Sequence, residues 1–419
     1  MKKFLVVLCL GVMFLVSSVL YAAPVEIRYI YWGNTEELQF REDMIKIFEQ
    51  KHPDIKVIRE GNPPAEYDRK LTAQLTAGNA ADVINMCNDW WGQRGRQGAF
   101  ADLTPFVKKD KLDLMKLFWS FPIKSMQSPG ILEGLPYILK TQALFYNKKL
   151  FEEAGLAYPN DNWTWDNFLE AAIKLTKGEG AQKQYGVVGF PTINAAWMFG
   201  GDVTSSNMKL VVANNPKTLK GIQFLTDLIF KYKVMPTTAE FQAMGTGVRF
   251  STGKGGMMID YSWSIAWLQQ AMHDPWDVVQ LPMDPATKKR YPECRADGLA
   301  IYSQSKNKDT AWELVKAFAT DLDIQKYIAK NEGIPALKSI ALSPEHLNTF
   351  KEGFKPYNKK AFVDAVSYAK LQPFGGYYNE LGTAWTREMD LVLLGKESPE
   401  EALKKFQTVG NDILKRLTK

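Results

Sequence analysis

The sequence predicts an α/β fold built as two lobes around largely parallel sheets. Three observations predict it. Strand-like and helix-like segments alternate between residues 25 and 87, the pattern of a parallel sheet with crossover helices. At 419 residues the chain is long enough for two domains. It carries no long linker, repeat or low-complexity tract, which points to lobes threaded by several crossings and not to two separate beads.

The first residues read as a secretory leader. "MKK" is a basic start, "FLVVLCLGVMFLVSSVL" an apolar run, and "YAAP" supplies small residues for cleavage after Ala22 or Ala23. A membrane anchor is the rival, but no later span reaches membrane-helix length. No cysteine sits at the cleavage point, so there is no lipoprotein signal. The mature chain is expected free in a periplasmic or other extracytoplasmic space. Cys9 leaves with the leader; Cys87 and Cys294 remain, either as buried thiols or as a disulfide that an oxidising compartment permits.

"VEIRYIYW" alternates and reads as a strand. In "EELQFREDMIKIFEQKHP", Leu38, Met44, Ile45, Ile47 and Phe48 fall at helical spacing, and Pro53 stops the helix. "IKVIRE" is a second strand, "EYDRKLTAQLTAGN" a helix, "ADVINMC" a third strand. "EGLPYILKTQALFYNKKLFEEAG" mixes a strand, a turn and a short helix. In "NWTWDNFLEAAIKLTKG", Thr164 is the N-cap and Phe168, Ala171, Ala172 and Leu175 form the apolar side. "LKGIQFLTDLIFKYKVMP" is another amphipathic helix, "GKGGMMIDYSW" a turn and strand, and "DVVQLPMDP" a short strand. "DGLAIYSQSKNKDTAWELVKAFATDLDIQKYIAKNEGIP" is a strand, a loop and a helix pair. "SPEEALKKFQTVGNDILKRL" is a terminal helix with Ser398 as N-cap and Pro399 at its first position.

The chemistry of common enzymes is missing. There is no P-loop, HExxH or CxxC, so no standard nucleotide, zinc or redox site, and no cofactor is expected. Three histidines serve the whole chain, none near a candidate nucleophile, which argues against a Ser–His–Asp enzyme. Carboxylate pairs for glycoside hydrolysis stay open at Glu36, Glu37, Asp89, Asp260 and Glu293, against ligand hydrogen bonding or a solvated surface. The net charge of +6 is spread out, so a nucleic-acid partner is not expected. Twelve tryptophans suit recognition by flat aromatic planes.

Six segments in order carry a resemblance: "YWGNTEELQFREDMIKIFEQKHPDIKV", "YDRKLTAQLTAGNAADVI", "GLPYILKTQALFYNKKLFEEAGL", "WTWDNFLEAAIKLT", "FSTGKGGMMIDYSW" and "SKNKDTAWELVKAFAT". Together the chain resembles the family 1 extracellular solute-binding proteins of carbohydrate ABC importers, the group that contains the maltodextrin-binding protein. The resemblance implies a two-lobed periplasmic binding protein fold of type II, with each lobe a mostly parallel sheet flanked by helices and joined by hinge crossings. It implies a leader over 1–23, a first lobe of 24–140 plus 295–345, and a second of 141–294 plus 346–419. It implies no catalysis, a carbohydrate ligand, membrane permease subunits as partners, and a monomer.

Carried over by position, the resemblance places sugar contacts at Trp32, Asn34 and Glu36 after the first strand, and at Asp89 and Trp90 after the third. Lys140 and Thr141 fall at the first crossing, and Arg295 in the return crossing. Trp197 and Trp263 match aromatic positions that stack on sugar rings. Asp260 precedes Trp263, and Tyr377 or Tyr378 closes the site. Core packing rivals Trp32, and Trp91 reads as core. The same alignment sets Cys87 and Cys294 at one cleft edge, which favours the disulfide. A pyranose has apolar C–H faces for an indole and edge hydroxyls for charged side chains, so this mixture suits a sugar.

One departure concerns charge. In the maltodextrin-binding protein a carboxylate stands at the place of Lys140 and an arginine at that of Trp90. Lys140, Arg295, Arg249, Arg94 and Arg96 would crowd cations near the cleft, costly in a partly dry site unless anions compensate. That predicts a uronate-containing oligosaccharide such as a galacturonide; neutral oligosaccharides, with local carboxylates neutralising the cations, are the alternative, and phosphorylated polyols a third.

Overall fold

The computed structural model describes residues 23–417, apart from 88–93, 96, 129, 332, 372–373 and 375–377. The expected leader lies outside the described residues, Ala23 excepted. No described helix is long and apolar enough to cross a membrane.

The strands are β1 (Val25–Trp32), β2 (Ile55–Asn62), β3 (Val83–Cys87), β4 (Gln127–Ser128), β5 (Ile131–Leu132), β6 (Gly134–Asn147), β7 (Tyr185–Gly189), β8 (Gly255–Tyr261), β9 (Trp276–Val279), β10 (Cys294–Ile301) and β11 (Ile334–Pro335). Two helices, α1 (Thr35–Lys51) and α2 (Pro64–Thr76), link the first three strands. This β1–α1–β2–α2–β3 run is the alternation that the sequence announces. In α1 the buried residues Arg41, Met44, Ile45 and Phe48 recur at helical spacing, so one face meets the sheet. The helix Trp165–Leu175 buries Phe168, Ala171, Ala172 and Leu175 as its pattern predicts, and Thr164 starts it, its N–H donating to Asn167 Oδ1 at 3.0 Å. The last helix, Pro399–Leu417, begins where Ser398 Oγ donates to Glu401 Oε2 at 2.8 Å.

Among the described residues one sheet runs β2-β1-β3-β10-β6-β8-β7, with β9 and β11 also pairing β6. The parallel pairs lie towards its two ends: β1 with β2 and β3, and β7 with β8. The antiparallel pairs lie between, because β6 and β10 carry the chain across and back. The fold is thus α/β with helices flanking the sheet.

The long strand β6 positions everything else. Its first part pairs with β10, from Gly134 opposite Ala300 to Thr141 opposite Cys294. Its second part pairs with β8, from Gln142 opposite Tyr261 to Tyr146 opposite Met257. Two apolar cores follow from this division. One gathers Tyr29, Phe48, Tyr137 and Phe318, and extends to Phe145 and Trp276. The other gathers Leu144, Phe168, Trp385 and Phe406.

Candidate functional site

A cavity of about 560 Å³ opens beside β6, a volume suited to a small-molecule site. Three pieces of chain wall it. The N-terminal half of α1 supplies Glu36, Phe40 and Arg41. The segment Tyr137–Lys140 of β6 forms the floor, with Asp297 of β10 beside it. Ser262, Trp263 and Ala266 close the opposite side, and Tyr327 and Asn331 the end.

Local sequence explains each wall. Asn34 caps α1: its Oδ1 accepts from Glu37 N–H at 2.9 Å, and Glu37 Oε2 accepts from Asn34 N–H at 3.0 Å. This reciprocal cap fixes where α1 starts, and so presents Glu36 to the cavity. Trp263 sits at the turn that leads from β8 into the helix Ser264–Ala271, whose first residue, Ser264, donates to Asp260 Oδ2 at 2.7 Å.

The floor is ionic. Asp297 is fully buried, with Lys140 Nζ at 2.7 Å and an Arg41 Nη at 3.5 Å. Arg41 Nη1 also donates to the Glu37 carbonyl at 3.1 Å. Burial works against the Arg41 charge, but Tyr137, Tyr29 and Asp297 outweigh it and hold its pKa above the ordinary arginine value. Beneath lies a polar underlayer. Tyr137 and Tyr29 hydroxyls donate to Asn85 Oδ1 at 2.9 and 3.2 Å, and the Tyr67 hydroxyl donates to the Asn85 carbonyl. Asn85 lies in β3, two residues before that strand ends at Cys87. The floor is therefore braced against the strand that leads into residues 88–93.

The aromatic wall is stacked. Trp263 is 41% exposed, and its ring lies over Tyr261 with centroids 3.9 Å apart and planes at 22°. The Arg295 guanidinium lies 5.2 Å from the Tyr261 centroid and 5.8 Å from that of Trp263. Lys140 Nζ is 5.9 Å from the Trp263 centroid. Arg295 Nε is 3.0 Å from Glu293 Oε1. Backed by Tyr261 and flanked by cations, Trp263 offers a held indole plane to the cavity.

Of the residues singled out in the sequence, Glu36, Lys140 and Trp263 come together at this cavity, and Arg295 packs beside Trp263. Asn34 serves as the α1 cap. Trp32 packs on Tyr67, centroids 4.9 Å apart, with Arg41 at 5.5 Å. Asn34, Trp32 and Arg295 are not in the cavity lining, and neither are Thr141, Trp197 and Asp260. Thr141 is buried and its Oγ1 donates to the Phe362 carbonyl at 2.7 Å. Trp197 is fully buried, with Lys370 Nζ 5.2 Å from its ring centroid. Asp260 accepts from Ser264 and from Tyr261 N–H, and burial pushes its carboxyl upward. Asp89, Trp90, Trp91, Arg96 and Tyr377 lie outside the described residues, as does the side chain of Tyr378, which begins the helix Tyr378–Leu393.

Two expectations need correction. Cys87 and Cys294 do not form a disulfide. Cys87 stands opposite Asp297 in the β3–β10 register, three residues along the strand from Cys294. Three residues span roughly 10 Å, beyond disulfide reach, and an odd offset turns the two side chains to opposite faces. The Cys294 thiol is buried, which raises its pKa. The cation cluster is also dispersed. Arg94 pairs with Asp68. Arg249 donates to the carbonyls of Met244 and Glu240 and does not line the cavity.

Arg41, Asp297, Tyr327 and Asn331 were not anticipated. Arg41 left a signal: it occupies an inner-face position of α1, one turn before Met44 and Ile45, where an apolar residue is the rule. Among the described residues no group of three or more His, Cys, Asp or Glu is placed to hold a metal ion.

The chain is similar to known proteins over most of its length. The maltotriose-binding protein of Pyrococcus abyssi is 26% identical over 405 residues, covering 91% of this chain and 83% of that protein. The galactooligosaccharide-binding protein of Bacillus subtilis is 25% identical over 388 residues, covering 89% of this chain and 86% of that one. An ABC substrate-binding protein from Listeria monocytogenes, solved in complex with cycloalternan, superposes with a TM-score of 0.81 at 25% identity, covering 94% of this chain and 99% of that one. The family model of the bacterial extracellular solute-binding protein matches residues 32–321. The chain belongs to the bacterial extracellular solute-binding protein family.

Proposed function

We propose that this protein is the substrate-binding component of an ABC importer, outside the cytoplasm, and that it holds an oligosaccharide in the cavity between α1 and Trp263 and delivers it to a membrane permease. The observation that carries this reading is the meeting of the Trp263 plane with Lys140 and Glu36 around one cavity, with Arg295 packed beside the indole. An indole takes the C–H face of a sugar ring while charged groups take its hydroxyls. The names of the relatives support the ligand class. The division of β6 supports two lobes, 24–140 plus 295–345 and 141–294 plus 346–419, with β6 changing partner one residue past that boundary, between Thr141 and Gln142. The cavity draws α1 from one side of that junction and Trp263 from the other, so a bound sugar touches both and favours a closed form.

The charge arrangement favours a neutral oligosaccharide. Lys140 is paired with Asp297, Arg295 with Glu293 and Arg94 with Asp68, so these three cations do not call for an acidic ligand. Calorimetric titration with maltotriose, a galactooligosaccharide and digalacturonate tests the reading. Binding of a neutral sugar without product formation is expected. Binding of digalacturonate alone would restore the uronate reading, and turnover or no binding by any oligosaccharide would overturn the function.

A further inference from the structure

Arg295 and Asp297 lie two apart in β10 and therefore share a face, since side chains alternate sides with a period of two, and Glu293 stands just before the strand begins. Across the β6–β10 pair, Lys140 stands directly opposite Arg295. Two cations facing each other across antiparallel strands repel. Each is answered by its own carboxylate: Glu293 lies 3.0 Å from Arg295, and Asp297 lies 2.7 Å from Lys140. Asp297 also takes a second cation, the buried Arg41, at 3.5 Å. One carboxylate thus stands between two cations under the cavity.

Its place in the charge of the cavity follows. Among the described lining residues Arg41, Lys140 and Lys351 are positive, and Glu36, Glu37, Asp43 and Asp297 are negative. These sum to one negative charge, and without the Asp297 carboxylate the balance becomes zero. The change falls on the floor, beside Lys140, where the site is least solvated. A unit charge acts there through a lower effective dielectric than at the rim.

We infer that Asp297 is a specificity-determining residue: by holding Lys140 and Arg41 from below it makes the cavity unfavourable to anions and selects neutral over acidic ligands. Asp297 is fully buried, so it acts through Lys140 as a positioning residue and not as a ligand contact. The inference rests on the oligosaccharide reading for its biological meaning, but its electrostatic core is testable without any sugar.

The test compares the wild-type protein, Asp297→Asn and Lys140→Met, with Trp263 as the reporter beside the floor. Iodide, an anionic quencher, and acrylamide, a neutral one, are titrated against tryptophan fluorescence. The Trp263 part is obtained by difference from the same proteins carrying Trp263→Phe. Asp297→Asn should raise iodide quenching about twofold, and Lys140→Met should lower it about twofold, with acrylamide quenching unchanged in both. In the same proteins the ratio of digalacturonate to maltotriose affinity should rise about tenfold for Asp297→Asn, the effect expected of removing one charge from a half-enclosed site. If Asp297→Asn fails to fold, Lys140→Met decides alone. An ion cluster that only holds the fold together would leave the iodide to acrylamide ratio where it is, and that result overturns the inference. Failure of the wild type to bind any oligosaccharide would strike the proposed function, while the quenching result would still judge Asp297.

Discussion

Thr141 and Gln142 are neighbours on one strand, yet they pair into different parts of the sheet: Thr141 stands opposite Cys294 of β10, and Gln142 opposite Tyr261 of β8. Both are fully buried. The Thr141 hydroxyl is tied to Phe362, while the Gln142 amide exchanges two hydrogen bonds with Asn194, at 3.0 and 2.6 Å, and its Oε1 accepts from Glu293 N–H at 2.8 Å. The crossing is therefore fastened by polar side chains on both sides.

Gln142→Leu removes the partner of the Asn194 amide and of Glu293 N–H together. Leaving buried polar groups unmatched costs roughly 2–3 kcal/mol in such a setting. Urea denaturation should show that loss as a lower midpoint with an unchanged slope. A midpoint equal to that of the wild type would mean that the amide pair contributes nothing to the crossing.

Trp263→Ala takes away the exposed indole of the cavity wall. A central aromatic anchor of this kind contributes roughly 2–4 kcal/mol to binding. Titration of the variant should show weaker oligosaccharide binding by that amount with a normal circular dichroism spectrum, because the ring stacks on Tyr261 from the surface and does not belong to either core. An unchanged dissociation constant would remove Trp263 from the site.

The chain from β1 to β3 shows how much of the fold is legible in the sequence. The elements from Val25 to Cys87 follow directly from period-two and helical spacing, since they are local. Lys140, Glu36 and Trp263 were singled out by position through the family resemblance, and the fold brings the three to one cavity. Trp197 was not readable in the same way: residue type alone does not distinguish an indole on a wall from one fully buried beneath Lys370. The full length of β6 was hidden because Lys140, Thr141 and Gln142 interrupt its apolar pattern at the point where it changes partners. The Asp297 contacts were hidden too. They depend on register between strands more than 150 positions apart, and pairing register between distant strands is not a local property of sequence.

His346 makes stability depend on pH. It is buried, and burial, followed by the nearby Lys359 charge, pushes its pKa down from 6.5 to about 3. The unfolded chain therefore binds one more proton than the folded chain between these values. Stability from this source is present above pH 6.5 and is lost as pH falls through that window, by about 1.4 kcal/mol per pH unit. Comparing the wild type with His346→Phe by denaturation between pH 6 and pH 4 should show a shallower decline in the variant. Parallel declines would contradict a neutral buried imidazole.

Gly221 tests the packing of the second core. An added Cβ would meet the Ala195 carbonyl oxygen at 1.7 Å, so the helix Pro216–Phe230 lies directly on the helix Thr192–Trp197 at this point. Gly221→Ala should destabilise the protein by roughly 1–3 kcal/mol, as overpacking does, despite the better helix propensity of alanine. A raised melting temperature would show that the two helices separate freely.

The most direct test of the central claim is a crystal structure of the protein with an oligosaccharide that it binds in solution. A sugar ring is expected on the outer face of Trp263, with its hydroxyls reaching Lys140 and Glu36. A sugar bound elsewhere, with Trp263 and Lys140 untouched, would contradict it.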